Sequence, residues 1–267
     1  MHETGASEML ANLKVESIFL IAFVLTILRA VLLSMQPKIG ESLSTAHKTS
    51  RSIAEILEML IFAGVLIFLL VRPFFIQGFF IPSASMEKTL MGHDAGRNPD
   101  TGLSYPDTIH DHLFVSKLAY RIGEPKQGDI IVFKAPKEAD MASKAQGLPQ
   151  IENILIKRLI GVPGDHILIK EAKVNWKGKK QKAYAVFRNG KQLDEPYINE
   201  PIENPQRPDA LFGVDKEIVL GPKQLFVMGD NRNFSNDSRF WGFVERSRVI
   251  GKASVIFFPF NRIHWIK

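Results

Sequence analysis

The box Ile81-Pro-Ser-Ala-Ser-Met86 sets two serine hydroxyls beside a proline, directly after a long apolar segment. Such a composition favours an exposed turn, and a serine presented there becomes a nucleophile only if a neighbouring base takes its proton. Histidine is the usual base. His2, His47, His93, His110, His112, His166 and His264, however, fall in termini, turns or polar loops without a recognisable catalytic surround, so no histidine triad is visible. Lysine is the other option, because an amine desolvated in an apolar strand loses proton affinity and can act in its neutral form. Lys157 fits, lying between Ile154-Leu-Ile156 and Arg158-Leu-Ile160. The absence of cysteine excludes a thiolate metal site, a cysteine nucleophile and a disulfide framework.

The chain that must position these groups has 267 residues, 45% hydrophobic and 23% charged, enough for one large domain or two modest ones with a real core. Disorder and fibrous repeats are excluded. The net charge of +6 is weak evidence for nucleic acid, whose readers concentrate basic charge on one face, and no nucleic-acid partner is expected. Apolar residues are unevenly spread. Met59 to Val71 carries no charge, and residues 56–76 as a whole approach the roughly 20 needed to cross a bilayer. A second run over 17–34 is interrupted by Arg29, which is costly at mid-membrane and tolerable near one end. It lacks the basic region that precedes a cleavable leader. Residues 1–16 form an acidic tail with Glu3, Glu8 and Glu16, while the 35–55 linker carries Lys38, Lys48 and Arg51. The positive-inside rule puts that linker in the cytoplasm, and the N-terminus and everything after about residue 76 outside.

Beyond the second run the patterning predicts an all-β domain of antiparallel sheets. Asp129 to Phe133, Ile154 to Ile160, Leu225 to Met228 and Val249 to Phe258 read as strands. Val162-Pro-Gly-Asp165 reads as a turn, and Asn189-Gly190 as a hairpin between Ala183–Phe187 and Lys191–Leu193. The proline-rich stretch 194–210 reads as irregular. The expected division is a catalytic core over 77–165 and 221–267, with an inserted β subdomain over 166–220.

Taken together, Pro82-Ser-Ala-Ser-Met86 with Thr89-Leu90, Gly128-Asp129-Ile-Ile-Val-Phe133, Ile156-Lys-Arg158 with Gly161-Val-Pro-Gly-Asp165, and Gly229-Asp-Asn-Arg232 with Ser235, Asp237-Ser-Arg239 and Trp241-Gly242 resemble bacterial signal peptidase I. The four boxes stand in that family's order over roughly 80–251, behind its membrane anchor. The resemblance implies a membrane-bound serine endopeptidase that removes signal peptides from exported preproteins on the outer face of the bacterial cytoplasmic membrane. Ser85 would be the nucleophile and Lys157 the general base. Ser83 would join the Ser85 backbone N–H in the oxyanion hole, and Ser235 would orient the lysine. Arg158, Asp230, Arg232, Asp237 and Arg239 would support the site, with Arg158 also helping to keep Lys157 neutral if it is close. Ile81, Pro82, Met86, Leu90 and Ile156 would line the substrate cleft. No cofactor and no metal is implied. The partners would be preprotein signal peptides with an A-x-A-like cleavage site, and the phospholipid bilayer.

Two departures stand out. Lys88 occupies the place of a usual proline, and Asn233-Phe234 replaces a usual Asp-Asn. The segment 92–113 is longer than in compact members and holds His110-Asp-His112 with Asp94 and Asp107 nearby. Polar turn residues of an insertion are mostly solvated, with a divalent metal site as the alternative. The run Lys173 to Lys182 reads as an exposed basic hairpin, with a lipid contact as the alternative. Two other function classes also remain open: a self-cleaving repressor, which would need a DNA-binding region where this chain is apolar, and a catalytically silent preprotein-binding adaptor.

Overall fold

The computed structural model describes residues 15–34, 45–67, 71, 75–98, 102–139, 154–203, 211–212 and 214–266, without the side chains of 15–19 and 46. Most of the expected acidic tail and the 35–44 part of the linker lie outside the described residues. The chain divides into two compact units, Met1–Gln77 and Gly78–Lys267.

The first unit contains helices α1 (Val15–Ser34) and α2 (Thr45–Leu66). α2 begins within the stretch expected to be linker. The helix-forming Ala54-Glu-Ile-Leu-Glu58 continues without a breaker into Met59-Leu-Ile-Phe-Ala63, and this continuity is why the helix is longer than its apolar run. Arg29 on α1 donates to Glu58 on α2 at 2.7 Å, so the charge interrupting the first apolar run has a partner. Leu20, Phe23, Met59 and Phe62 are exposed on these helices. Among the described residues, no helix is long and apolar enough to cross a membrane. The second apolar run, 56–76, extends onto residues outside that set.

The second unit is mostly antiparallel β-sheet. Besides two ribbons of two-residue strands in the 92–113 segment, Gly92–His93 with Ile109–His110 and Gly96–Arg97 with Ser104–Tyr105, its strands are β1 (Ile76–Phe80, which begins in the first unit), β2 (His112–Ser116), β3 (Ile130–Lys134), β4 (Ile154–Gly161), β5 (His166–Trp176), β6 (Lys179–Arg188), β7 (Lys191–Gln192), β8 (Ile218–Val219), β9 (Gln224–Met228), β10 (Val244–Glu245), β11 (Val249–Phe258) and β12 (His264–Trp265). The main sheet runs β1-β2-β11-β3-β4-β9-β10, with β12 paired to β11. A four-stranded sheet, β7-β6-β5-β8, occupies 166–219. At its β6–β7 hairpin Asn189 and Gly190 both take positive φ, 53° and 78°, the conformation that a tight two-residue turn demands.

β4 is the strand that matters for the site. It is flanked on both sides, Lys157 opposite Ile131 of β3 and Arg158 opposite both Ile130 of β3 and Met228 of β9. Its alternation sends Ile154 and Ile156 to a core with Met86, Leu90, Leu113 and Ile130, and Leu155 and Leu159 to the opposite core with Phe133, Val227 and Trp241. Ile160 joins a third cluster with Ile167, Val186 and Phe226 under the smaller sheet. A side chain in the middle of this strand is therefore buried whatever its polarity.

Candidate active site

The 81–86 box turns through a single 3₁₀ turn, Ala84–Met86, with Ser83 in an extended conformation before it. The strand end after β9 holds that turn. Asn231 donates its backbone N–H to Ser85 O at 3.2 Å and its side-chain amide to Ala84 O at 3.0 Å. Gly229 sits so close that a Cβ there would overlap both the Ser85 carbonyl and the Ser235 side chain, which brings Ser235 to the same point. A glycine is required at 229 for this contact, and it is a site requirement that the reading of hydroxyls and amines missed.

Lys157 Nζ donates to Ser85 Oγ at 2.7 Å. Ser83 Oγ lies 3.4 Å from Ser85 Oγ. Lys157 is 4% exposed, and burial pulls its ammonium from 10.5 down to about 8; Asp237 and Asp230 push the other way and Arg239 adds to the fall. A primary amine with that proton affinity has an appreciable neutral population near neutral pH, and a neutral amine beside a serine hydroxyl can accept its proton. None of the hydrogen bonds of His93, His110, His166 or His264 given by the structure reaches Ser85.

Three buried ion pairs surround the Ser85–Lys157 contact. Arg158 clamps Asp230 through two bonds, at 2.8 and 2.7 Å, and donates to Gly128 O. Asp230 also accepts from the Thr89 hydroxyl at 2.5 Å, which ties the nucleophile segment to the Gly229 box. Arg239 clamps Asp237 at 2.8 Å through both Nε and Nη2, and donates to Arg232 O. Burial opposes charge on Asp237, but the Arg239 guanidinium, the Gly229 N–H and the nearby Ser235 hydroxyl hold its carboxyl below the usual range. Arg232 pairs with Glu195 at 2.6 and 3.0 Å. Tyr197 lies under Arg158, 3.9 Å from guanidinium carbon to ring centre.

Several sequence expectations are redrawn by these positions. Arg158 is matched by Asp230, and the guanidinium that lowers Lys157 is that of Arg239. Ile81, Met86 and Leu90, expected to line a cleft, are packed into the core, 2%, 0% and 0% exposed, whereas Pro82 is exposed and Ile156 half-buried. The reason is that the box folds back over β2 and β3, covering its own apolar residues. Polar residues of the 92–113 insertion were expected to be solvated, but His93 and Asp111 are buried. Glu195 and Tyr197 went unnoticed because their arginine partners are more than 30 positions away in the chain and their loop has no periodicity. Among the described residues no cluster of His, Asp and Glu is arranged to hold a metal ion.

A family model described as "Signal peptidase, peptidase S26" matches residues 53–258. The chain belongs to this family. A probable signal peptidase I-2 of Synechocystis sp. is 34% identical over 193 residues, covering 72% of this chain and 68% of that protein. Signal peptidase I of Leptolyngbya laminosa is also 34% identical, over 75% of this chain and 77% of its own length. Signal peptidase I T of Bacillus subtilis is 31% identical, over 84% and 94%. As a member of the signal peptidase I family the chain is a serine peptidase, a hydrolase.

Proposed function

We propose that this chain removes signal peptides from exported preproteins with Ser85 as nucleophile and Lys157 as general base. The observation that carries the reading is the 2.7 Å contact between a buried, unpaired amine and the hydroxyl of an otherwise unactivated serine. Neutral Lys157 takes the Ser85 proton as Oγ adds to the scissile carbonyl. Ser83 Oγ and the Ser85 N–H then receive the developing oxyanion, each such donor being worth about 2.7–4 kcal/mol of barrier. The lysine ammonium returns its proton to the leaving amine, the C–N bond breaks, and an acyl-serine remains. Lys157, neutral again, takes a proton from water as it attacks the ester, and passes it back to Ser85 as the ester C–O bond breaks.

Ser235, tucked against Gly229 with a buried hydroxyl that has no hydrogen-bond partner among the described residues, is the hydroxyl left to orient the amine during turnover, and the ion pairs of Arg158, Asp230, Arg232, Asp237 and Arg239 hold the walls. Pro82 and Ile156 are the members of the expected cleft set that remain accessible to substrate. Small residues preceding the cleavage point, A-x-A-like, suit shallow apolar contacts of this kind.

The chain is anchored in the bacterial cytoplasmic membrane by its two N-terminal apolar runs, with its catalytic unit on the outer side. Support comes from the apolar sequence, the exposed Leu20, Phe23, Met59 and Phe62, and the basic linker. A preprotein tethered by its own apolar segment meets an enzyme anchored in the same bilayer at a raised effective concentration.

The test is cleavage of a preprotein by the detergent-purified full chain, read on a gel. Ser85→Ala and Lys157→Ala should each nearly abolish the product, and residual cleavage by either at near wild-type rate overturns the dyad. For the topology, single cysteines placed in the tail, the 38–51 linker and the C-terminus are probed in intact cells with an impermeant thiol reagent, without background in this cysteine-free chain. Labelling of the linker overturns the arrangement.

A further inference from the structure

Glu87, two residues beyond Ser85, is 4% exposed and belongs to none of the ion pairs described above. Its backbone N–H donates to Ala84 O at 3.1 Å and so closes the 3₁₀ turn that carries Ser85. One of its carboxylate oxygens lies 2.5 Å from His93 Nδ1, and the other accepts from the Tyr105 hydroxyl at 2.8 Å. The His93 and Tyr105 rings stack, 3.7 Å between centroids at 15°, so each partner fixes the other's orientation. His93 is itself buried, 3% exposed. A buried carboxylate with both oxygens engaged is a fixed point in the backbone, because moving it strands a desolvated charge.

The contacts continue to the other side of the turn. Gly92, the residue before His93, is pressed onto the Ser83 backbone: a Cβ there would lie 2.5 Å from Ser83 O and 2.7 Å from Ser83 N. The segment is closed by Ile81 N to Asp111 O and Asp111 N to Met91 O, both 2.9 Å, and Asp111 is gripped in turn by Arg262 at 2.7 and 2.9 Å. Residues that follow the nucleophile in the chain therefore come back to hold it from behind.

We propose that Glu87, held by His93 and Tyr105, is a positioning residue that fixes the Ser83–Ser85 turn for acyl transfer. The inference rests on the Ser85–Lys157 reading and assigns the 92–113 insertion a task within that reaction. Glu87 touches no reacting atom. It acts by holding Ser83 Oγ and Ser85 Oγ at one separation from each other and from Lys157, and a displacement of about 1 Å at such a site costs on the order of a hundredfold in rate.

Single-turnover cleavage of a preprotein by saturating excess full-length enzyme tests this, because the rate constant at saturation reports positioning, while circular dichroism of the same preparation reports how much enzyme is folded. Glu87→Ala should lower the rate constant about tenfold or more, with the substrate concentration at half-maximal rate unchanged within about twofold. Glu87→Gln, which retains an acceptor for Tyr105, should recover most of that loss. Tyr105→Phe, removing one hydroxyl from a stacked ring, gives a smaller fall in the same parameter and covers the case in which Glu87→Ala does not fold. A wild-type rate constant in folded Glu87→Ala and in Tyr105→Phe, or a loss accounted for entirely by the unfolded fraction, overturns the positioning role. Ser85→Ala is run alongside. If it still cleaves, the dyad fails; if it is inactive while Glu87→Ala is unimpaired, the dyad stands and only this inference falls.

Discussion

Lys157 and its arginine neighbours are buried to the same degree, yet the two sets are held in opposite ways. Arg158, Arg232 and Arg239 are 3%, 1% and 4% exposed, and each is clamped by a carboxylate, Asp230, Glu195 or Asp237. Lys157, 4% exposed, donates to the Ser85 hydroxyl and, among the described residues, forms no ion pair with a carboxylate. A guanidinium cannot discharge inside a protein, so burying it without an anion would be prohibitive. An amine can discharge, and burial, not offset by a carboxylate of its own, is what lowers its proton affinity to about 8. The carboxylates near Lys157 are therefore committed elsewhere: Asp237 and Asp230 raise its pKa, but each is neutralised by an arginine that turns the charge away from the amine.

The largest expected effect erases the contrast. Lys157→Arg puts a permanent cation where the neutral amine stood, and preprotein cleavage should fall on the order of 10⁴-fold, as removal of a general base from a catalytic serine generally does. Substantial cleavage by this variant, measured as kcat/KM, would show that the base lies elsewhere.

The next effect breaks the arginine side of the contrast. Asp237→Asn leaves the Arg239 guanidinium buried without a counter-charge, and stability to urea should drop by about 3–5 kcal/mol. The same change removes a carboxylate that supports the Lys157 ammonium, so in whatever fraction folds the alkaline rise of activity should move to lower pH. An unchanged midpoint of the rate profile would mean that Asp237 and Lys157 do not sense each other.

Much of this contrast can be read in the chain, and the rest is hidden for identifiable reasons. Lys157 is legible because apolar residues flank it on both sides in a strand-length run, and a lysine there has nowhere solvated to go. The Ser85 turn is legible from its proline and its small residues. Ile76–Phe80 is a different case. Because it directly follows an apolar run, its alternation is masked: Ile76 reads as the end of the membrane segment and no strand is legible over 77–80, although the five residues form the edge strand of the main sheet. His112–Ser116 was hidden by the polar residues before it. The pairing of Glu195 with Arg232, and of Glu87 with His93 and Tyr105, depends on loops folding back across the sheet, and no local spacing encodes that. Ile81, Met86 and Leu90 show the remaining ambiguity: an apolar residue beside a nucleophile suits a cleft and a core equally well until the turn's direction is known.

A third effect concerns the cost of keeping Lys157 unpaired. Its folded pKa is about 8 against 10.5 unfolded, so between those values the unfolded chain binds more protons and stability rises with pH. Below pH 8 both states are protonated and the full penalty, up to about 3 kcal/mol, is present. Lys157→Met, which fills the same space without a charge, should therefore be more stable than the natural chain at pH 7, by an amount that shrinks steadily up to about pH 10.5. The cleavage rate of the natural chain should rise over the same lower limb, with its midpoint near 8, since the neutral amine is the working form. A rate profile flat from pH 6 to 9 under single-turnover conditions would contradict both halves of this prediction.

The smallest effect takes ion pairing out of the protein interior altogether. Lys182 and Glu171 face each other across the β5–β6 hairpin at 3.7 Å, with side chains 76% and 56% exposed. Two flexible chains held in water gain little Coulomb energy, which salt further screens, and lose rotamer freedom. Lys182→Gln should change stability by no more than about 0.5 kcal/mol, and by less at 0.5 M salt. The measurement matters because the residue types are those of the site: a lysine and a carboxylate. If the exposed pair proved worth several kcal/mol, the distinction between a clamped arginine and an isolated lysine would no longer follow from burial, and the low proton affinity of Lys157 would need a cause other than the desolvation that its place in the centre of β4 imposes.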